Sequence, residues 1–173
     1  MHIPIDHGLS RRRSAMARGL PWWLFALSIV VVDQVLKLTV QATLPYREIV
    51  PVTSFFNLTH VGNPGAAFSI LADAGGWQRY FFIVLGTTVS LGLAVLLCRP
   101  APRSEAFGYS FILGGALGNV VDRLVRGHVV DYLDFYWRTW HWPAFNAADA
   151  SITVGAALLL VNAWRPSASA SAA

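Results

Sequence analysis

The apolar residues of this chain are gathered into four long blocks, and that clustering constrains the fold more than any motif does. The blocks run approximately from Leu20 to Ala42, Trp77 to Cys98, Ala106 to Val125 and Phe145 to Trp164. Each is long enough for a bilayer core, which takes roughly 20 mostly apolar residues in helical form. A chain of 173 residues with 55% hydrophobic and only 13% charged residues is too apolar for an ordinary soluble domain. In lipid the backbone must satisfy its own hydrogen bonds, which makes helices the natural spanning element. The expected class is a membrane all-α protein with four transmembrane helices. A single integral domain over 1–173 is expected, with flexible cytoplasmic tails at 1–19 and 166–173.

The arginines give the orientation. Arg11, Arg12, Arg13 and Arg18 precede the first block, Arg99 and Arg103 follow the second, and Arg165 follows the fourth. Positive residues stay on the cytoplasmic side, so both termini are expected there. The formal charge of +4 does not mark a nucleic-acid partner, because these arginines sit at block ends and not along one face. Trp22, Trp23, Trp77, Trp137, Trp140, Trp142 and Trp164 fall near block ends, as an interfacial belt requires. The opposite face carries a long loop, Thr43 to Gly76, and a shorter one, Arg126 to Ala144. In the long loop, Glu48 to Val52 and Ser54 to His60 are rich in β-branched and aromatic residues, and Asn63, Pro64 and Gly65 supply a turn. A small extracytoplasmic β-sheet is expected there, followed by GAAFSIL, which dips into the interface. A loop or short helix is expected between the third and fourth spans. Leu20 to Val32 resembles the apolar region of a secretory signal peptide, but no small-residue cleavage pattern follows it.

Ionisable groups in or beside a span are costly to keep, which singles out the carboxylates. Asp131 and Asp149 flank the aromatic stretch Trp137 to Trp142 and share the outer face, so an aspartate dyad is the first chemistry to consider. The plainer role for Asp149 is at a helix N-terminus capped by Asn146, where the helix dipole favours a negative charge. Asp33 and Lys37 are one turn apart and read as an intramembrane ion pair. Lys37 is the only lysine, yet Ser28, Ser54 and Ser69 lack the context of a nucleophile. His60, His128 and His141 show no metal-ligand spacing, and Cys98 is the only cysteine. Asn119, Asp122 and Arg123 form a polar cluster at the outer end of the third span, and Asp134 reads as solvated in a loop.

Several longer blocks carry more information than these single residues. VVDQVLKL from Val31, FFNLTHVGNPGAAFSIL from Phe55, GGALGNVVDRLVRGHVVDYLDFY from Gly114 and PAFNAADASITVG from Pro143 together resemble the signature blocks of lipoprotein signal peptidases, the signal peptidase II family. The order and gaps agree from the first span to the fourth. Tyr132 stands where the family more often has phenylalanine, and His60 and Gly62 depart from its usual residues. The resemblance implies a bacterial inner-membrane aspartyl endopeptidase with its active site near the extracytoplasmic face. Such an enzyme removes the signal peptide just before a diacylglyceryl-modified cysteine of a prolipoprotein. It implies Asp131 and Asp149 as the catalytic pair, with Asn63, Asn119, Asp122, Arg123 and Asn146 as supporting or substrate-binding residues. It also implies Asp33 with Lys37 as a structural ion pair, lipid-modified prolipoproteins and membrane lipids as partners, and a monomer that needs no metal or organic cofactor. Inhibition by cyclic peptide antibiotics of the globomycin type follows from the same resemblance.

The chemistry of paired carboxylates agrees with that implication. Two neighbouring carboxylates do not ionise independently, so one proton is shared, one group activates water and the other polarises the scissile carbonyl. Which aspartate is the base is open at this level. Two other classes compete. An ion- or proton-coupled transporter would place its carboxylates near mid-membrane and favour an internal repeat, and a noncatalytic scaffold would tolerate loss of both aspartates.

Overall fold

The structure is a computed structural model describing residues 7–65 and 75–164, with side chains from Ser14 onward. Most of the interfacial GAAFSIL segment, Arg165, the C-terminal tail and the side chains of Arg11, Arg12 and Arg13 lie outside the described residues. The elements in chain order are α1 (His7–Thr43), β1 (Ile49–Pro51), β2 (Phe56–Asn63), α2 (Trp77–Leu96), α3 (Arg103–Val125), β3 (Val129–Trp137), β4 (Trp140–His141) and α4 (Ala147–Ala163). The four helices follow the four apolar blocks. Helix α1 begins well before its block, so 7–19, expected as a flexible tail, are helical; the arginine, alanine and leucine of that stretch are good helix formers.

The bundle is apolar outside and more polar inside. In α2 the buried residues are Gln78, Ser90 and Leu93, while Phe81, Val84, Leu85, Leu91 and Val95 are exposed. In water that surface would be an aggregation hazard; against lipid it carries no penalty. Ser14–Thr43 and Trp77–Leu96 are long and apolar enough to cross a membrane, and Ala147–Ala163 is a shorter apolar helix.

Side-chain contacts fix how the helices run. Near the middle of α1, the Trp23 indole donates to Ala94 O near the end of α2 at 3.2 Å, and Trp22 packs edge-on against Phe107 near the start of α3. At the other end, Lys37 of α1 meets Asp122 of α3, and Asp33 accepts from Ala148 N at the start of α4. Arg18 of α1, Arg99 after α2 and Arg103 at the start of α3 thus gather at one end of the bundle. The sheet and both dyad candidates gather at the other.

Small residues let the backbones close up. A Cβ on Gly155 would lie 2.6 Å from Gly108 O, and one on Gly115 would overlap Ala148 O, so α3 and α4 pack nearly backbone to backbone. Gly118 makes room for an ion: a Cβ there would sit 2.7 Å from Asp33 Oδ2.

The expected small sheet is present and larger than foreseen. Its four antiparallel strands run in the order β1-β2-β3-β4, with Val61 opposite Asp131 and Asn63 opposite Val129. The segment between α3 and α4, expected as a loop or short helix, instead supplies β3 and β4. VVDYLDFYW has the β-branched and aromatic content of a strand, and β2 provides its partner edge. Asp134 is consequently not a solvated loop residue. It is buried in β3, where Asn57 Nδ2 donates to it at 2.8 Å and His141 Nδ1 lies 2.9 Å away.

The bundle centres on ions. Lys37 Nζ lies 2.8 Å from Asp33 and 2.7 Å from Asp122, and all three side chains are fully buried. Arg126 reaches the other Asp122 oxygen at 2.6 Å, and the Gln34 amide donates to that oxygen at 2.8 Å. Removing Lys37 would leave two buried carboxylates without their shared cation, a loss typically of about 3–5 kcal/mol. Lys37→Ala is therefore expected to lower the melting temperature of the detergent-solubilised protein strongly. An unchanged melting temperature would show that the cluster does not hold the bundle.

Candidate active site

The residues that sequence reasoning singled out converge where the sheet meets the bundle. Asp131 comes from β3 and Asp149 from the first turn of α4. A single residue, Asn146, ties them together. Its side-chain amide donates to Asp131 Oδ1 at 2.7 Å, its side-chain oxygen accepts from Asp149 N at 2.9 Å, and its own backbone N–H donates to Asp149 Oδ2 at 3.3 Å. The last two bonds form a capping box, in which cap and third helical residue satisfy each other's backbone donors. The cap anticipated for α4 is thus also the bridge between the two carboxylates.

The remaining donors of the α4 N-terminus are met by other elements. Ala147 N donates to the Tyr132 hydroxyl at 3.2 Å and Ala148 N to Asp33 Oδ1 at 3.0 Å. A helix start leaves its first N–H groups without intrahelical partners, so these contacts from β3 and α1 fix where α4 begins and therefore where Asp149 points. Burial pushes the Tyr132 hydroxyl up to about 12, which keeps it protonated. Tyr132 was noticed in the sequence only as a departure from the family block. No sequence signal ties its hydroxyl to Ala147.

Each carboxylate has a second amide. Asn63 Nδ2, at the end of β2, donates to Asp131 Oδ2 at 3.0 Å, and Asn119 Nδ2, on α3, donates to Asp149 Oδ1 at 2.8 Å. Asn119 Oδ1 in turn accepts from Lys37 at 3.2 Å, which links the dyad region to the buried ion cluster. Asp122 stands one step back: it binds Lys37, Arg126 and Val130 N. Arg123 donates to Gly65 O at 2.7 Å and Asn119 O at 3.2 Å, with its guanidinium 4.9 Å over the Phe82 ring. Gly65 N donates to Asn63 Oδ1 at 3.0 Å, so Asn63 and Arg123 together hold both backbone polar groups of Gly65.

The three histidines sit apart from the carboxylates. His60 faces Leu44 O and His141 faces Asp134, while the His128 ring packs over Gly62. Ser28 bonds Phe25 O within its own helix, and Lys37 is engaged by Asp33, Asp122 and Asn119.

Asp131 is only 2% exposed. Burial, and secondarily the negative charge of Asp149, push its carboxyl from 3.8 up to about 7, against the opposing hydrogen bonds from Asn63 and Asn146. Asp149 faces a cavity of about 600 Å³. Asn63, Asn119 and Arg123 give that cavity a polar end, and Ile152 and Val154 of α4 with Phe145 give it an apolar wall. The site therefore offers paired carboxylates, amide donors and one guanidinium beside an apolar groove. That set is suited to acid–base attack on an amide carried by a hydrophobic substrate.

Comparison with known proteins places this arrangement. A bacterial membrane enzyme solved by the in meso method superposes with a TM-score of 0.78 at 29% identity, covering 88% of this chain and 93% of that one. The fold is that of a membrane enzyme. The profile of the family described as "Signal peptidase (SPase) II" matches residues 25–165, and the chain belongs to that family. A lipoprotein signal peptidase of Cupriavidus necator is 55% identical over 159 residues, covering 90% of this chain and 91% of the relative. One from Serratia marcescens is 51% identical over 142 residues, covering 81% and 84%.

The raised carboxyl has a consequence for stability. Folded Asp131 binds its proton up to about 7, whereas the unfolded chain releases it near the ordinary 3.8. Its contribution is therefore complete below the ordinary value and is lost as pH rises through about 7. Asp131→Asn cannot ionise, so its melting temperature is expected to gain on the wild type between about pH 4 and pH 7 and to hold level above that. A difference that stays constant across that window would mean that Asp131 titrates normally.

Proposed function

We propose that the protein is an aspartyl endopeptidase of the membrane that removes signal peptides from lipid-modified prolipoproteins, cutting just before the diacylglyceryl cysteine. Membership of the signal peptidase II family supports the peptidase activity, and relatives matched over most of their length carry the name lipoprotein signal peptidase. The observation that carries the catalytic assignment is the Asn146 bridge, which holds Asp131 and Asp149 in one hydrogen-bonded unit. The relatives are peptidases by name, which leaves the transporter alternative without support.

Charge balance favours a singly protonated pair. Lys37 and Arg126 neutralise Asp33 and Asp122, and Arg123 is the remaining cation near Asp131 and Asp149. One proton on the dyad leaves the whole buried group neutral, whereas two ionised carboxylates would leave it negative in a poorly solvated region. Asp131 retains its proton when Asp149 has ionised, because the Asp149 charge is one cause of its raised value. In this state Asp149 takes a proton from the attacking water, and Asp131 donates toward the scissile carbonyl oxygen. The tetrahedral intermediate collapses as the C–N bond breaks and the leaving nitrogen receives the proton held by Asp149. Asn63, Asn119 and Asn146 keep both carboxylates oriented throughout. Arg123 holds the Gly65 peptide at the cavity edge and supplies positive charge near the oxyanion. None of these steps calls for a metal or organic cofactor.

The apolar groove along α4 suits a signal helix entering from the bilayer, with the acyl chains of the precursor remaining in lipid. In this reading all four helices span the bacterial inner membrane, both termini are cytoplasmic, and the sheet and dyad lie at the extracytoplasmic face. The enzyme acts as a monomer and is a target for cyclic peptides of the globomycin type.

Two measurements test the proposal. Asp131→Asn and Asp149→Asn are each expected to abolish turnover of a diacylglyceryl-modified precursor by the purified protein while the fold survives. Near-normal cleavage by either would falsify the aspartyl mechanism. The wild-type rate is expected to fall as pH rises past about 7, where Asp131 loses the shared proton. Reporter fusions address orientation: an inside signal near Trp140, or an outside signal after Arg103, would overturn it.

A further inference from the structure

At the end of the bundle opposite the dyad, three helices leave a recess of about 140 Å³. Arg18 of α1 and Arg99, just after α2, both line it, and so do Trp22 and Pro100. Its other walls are Leu97 and Ala106, both buried. Among the described residues no carboxylate lines this recess or pairs with either arginine. Glu105, the acidic residue of the first turn of α3, is instead the acceptor of the Tyr109 hydroxyl at 3.5 Å.

The helices around the recess are tied together. Arg18 Nε donates to Cys98 O at 3.3 Å, beyond the end of α2, and among the described residues no other partner of its guanidinium is found; both Arg18 and Arg99 are exposed at the mouth of the recess. The neighbouring contacts of Trp23 with Ala94 O and Trp22 with Phe107 hold α1 against α2 and α3. The space admits a phosphodiester group and excludes a whole lipid. Two guanidiniums around one small recess repel each other unless an anion lies between them, and the planar forks of arginine suit phosphate oxygens. Leu24, Val95 and Phe107 are exposed on the helix surfaces leading away from this end, as acyl chains would require.

We infer that this recess binds the phosphate of an anionic glycerophospholipid from the leaflet at this end of the bundle. Basic pockets between spanning helices are a recurrent way of holding acidic headgroups. The site is remote from the carboxylates and stands independently of the proteolytic reading. Its effect is to tie the ends of α1, α2 and α3 to one lipid and so to fix the depth of the bundle in the membrane.

The test is native mass spectrometry of the full-length protein released from detergent, titrated separately with phosphatidylglycerol, phosphatidylcholine and inorganic phosphate. Phosphatidylglycerol is expected to remain bound, phosphatidylcholine to dissociate, and millimolar inorganic phosphate to leave the lipid adduct in place. The double variant Arg18→Gln, Arg99→Gln is expected to weaken retention about thirtyfold. Arg99→Gln alone, which breaks no side-chain hydrogen bond among the described residues, is expected to weaken it about fivefold. Lysine at both positions should restore most of it. Equal retention of the two lipids, or equal retention by wild type and both glutamine variants, would refute the site. Displacement of phosphatidylglycerol by inorganic phosphate would refute the lipid as its occupant.

Discussion

The contact on which the rest of the structure depends is the ammonium of Lys37 held between Asp33 and Asp122. These three side chains are fully buried, so separating them would strand charge in a region that cannot solvate it. The pair also reaches outward. Asp33 has a second oxygen that accepts Ala148 N, and Asp122 a second oxygen that takes Arg126 and Gln34. Lys37 has a third donor that meets Asn119, the residue holding Asp149. One cluster therefore sets the depth of α1 against α3, the starting point of α4 and the orientation of one carboxylate of the dyad. Gly118 belongs to the same device, because a side chain there would collide with Asp33.

The sequence made the helices legible because long apolar runs favour helices that satisfy their own backbone; Ser14–Thr43 and Trp77–Leu96 are long and apolar enough to span, and Ala147–Ala163 is a shorter apolar helix. Local chemistry was legible too. Asn146 three residues before Asp149 is a capping-box spacing, and Asp33 four residues before Lys37 is an ion-pair spacing. Contacts between distant segments were not. Asp122 as the second partner of Lys37 required α1 and α3 to lie side by side, and Asp134 was misjudged because its partners, Asn57 and His141, lie on other strands. Strand β3 was missed for the same reason. Its own residues favour extended structure, but only β2, far upstream, makes it a strand and not a loop. Asp131 and Asp149 stand out from family blocks and from the cost of placing carboxylates beside a membrane, whereas the Asn146 bridge is visible only in the folded chain.

In the proposed mechanism, placing acid–base chemistry at the junction of sheet and bundle reconciles two demands. A carboxyl held near neutrality needs burial, and Asp131 obtains it within β3, between the sheet and the bundle. Hydrolysis needs water and a long apolar substrate in the same place. The polar end of the cavity, with Asn63, Asn119 and Arg123, lies beside the sheet, and its apolar wall follows α4 away from the sheet. Deeper burial would remove the water, and a fully exposed site would let Asp131 relax toward an ordinary carboxylate and lose the shared proton.

Asn146 shows how the fold makes this geometry difficult to lose. As a cap it is required to start α4, since its oxygen satisfies Asp149 N. As a bridge it is required to align the pair, since its amide binds Asp131. The two roles use opposite ends of one planar group, so the amide orientation that caps the helix is also the one that presents a donor to Asp131. A carboxylate in place of Asn146 would still cap the helix but would oppose Asp131 with like charge. The amide is thus selected by the dyad and the capping position by the helix.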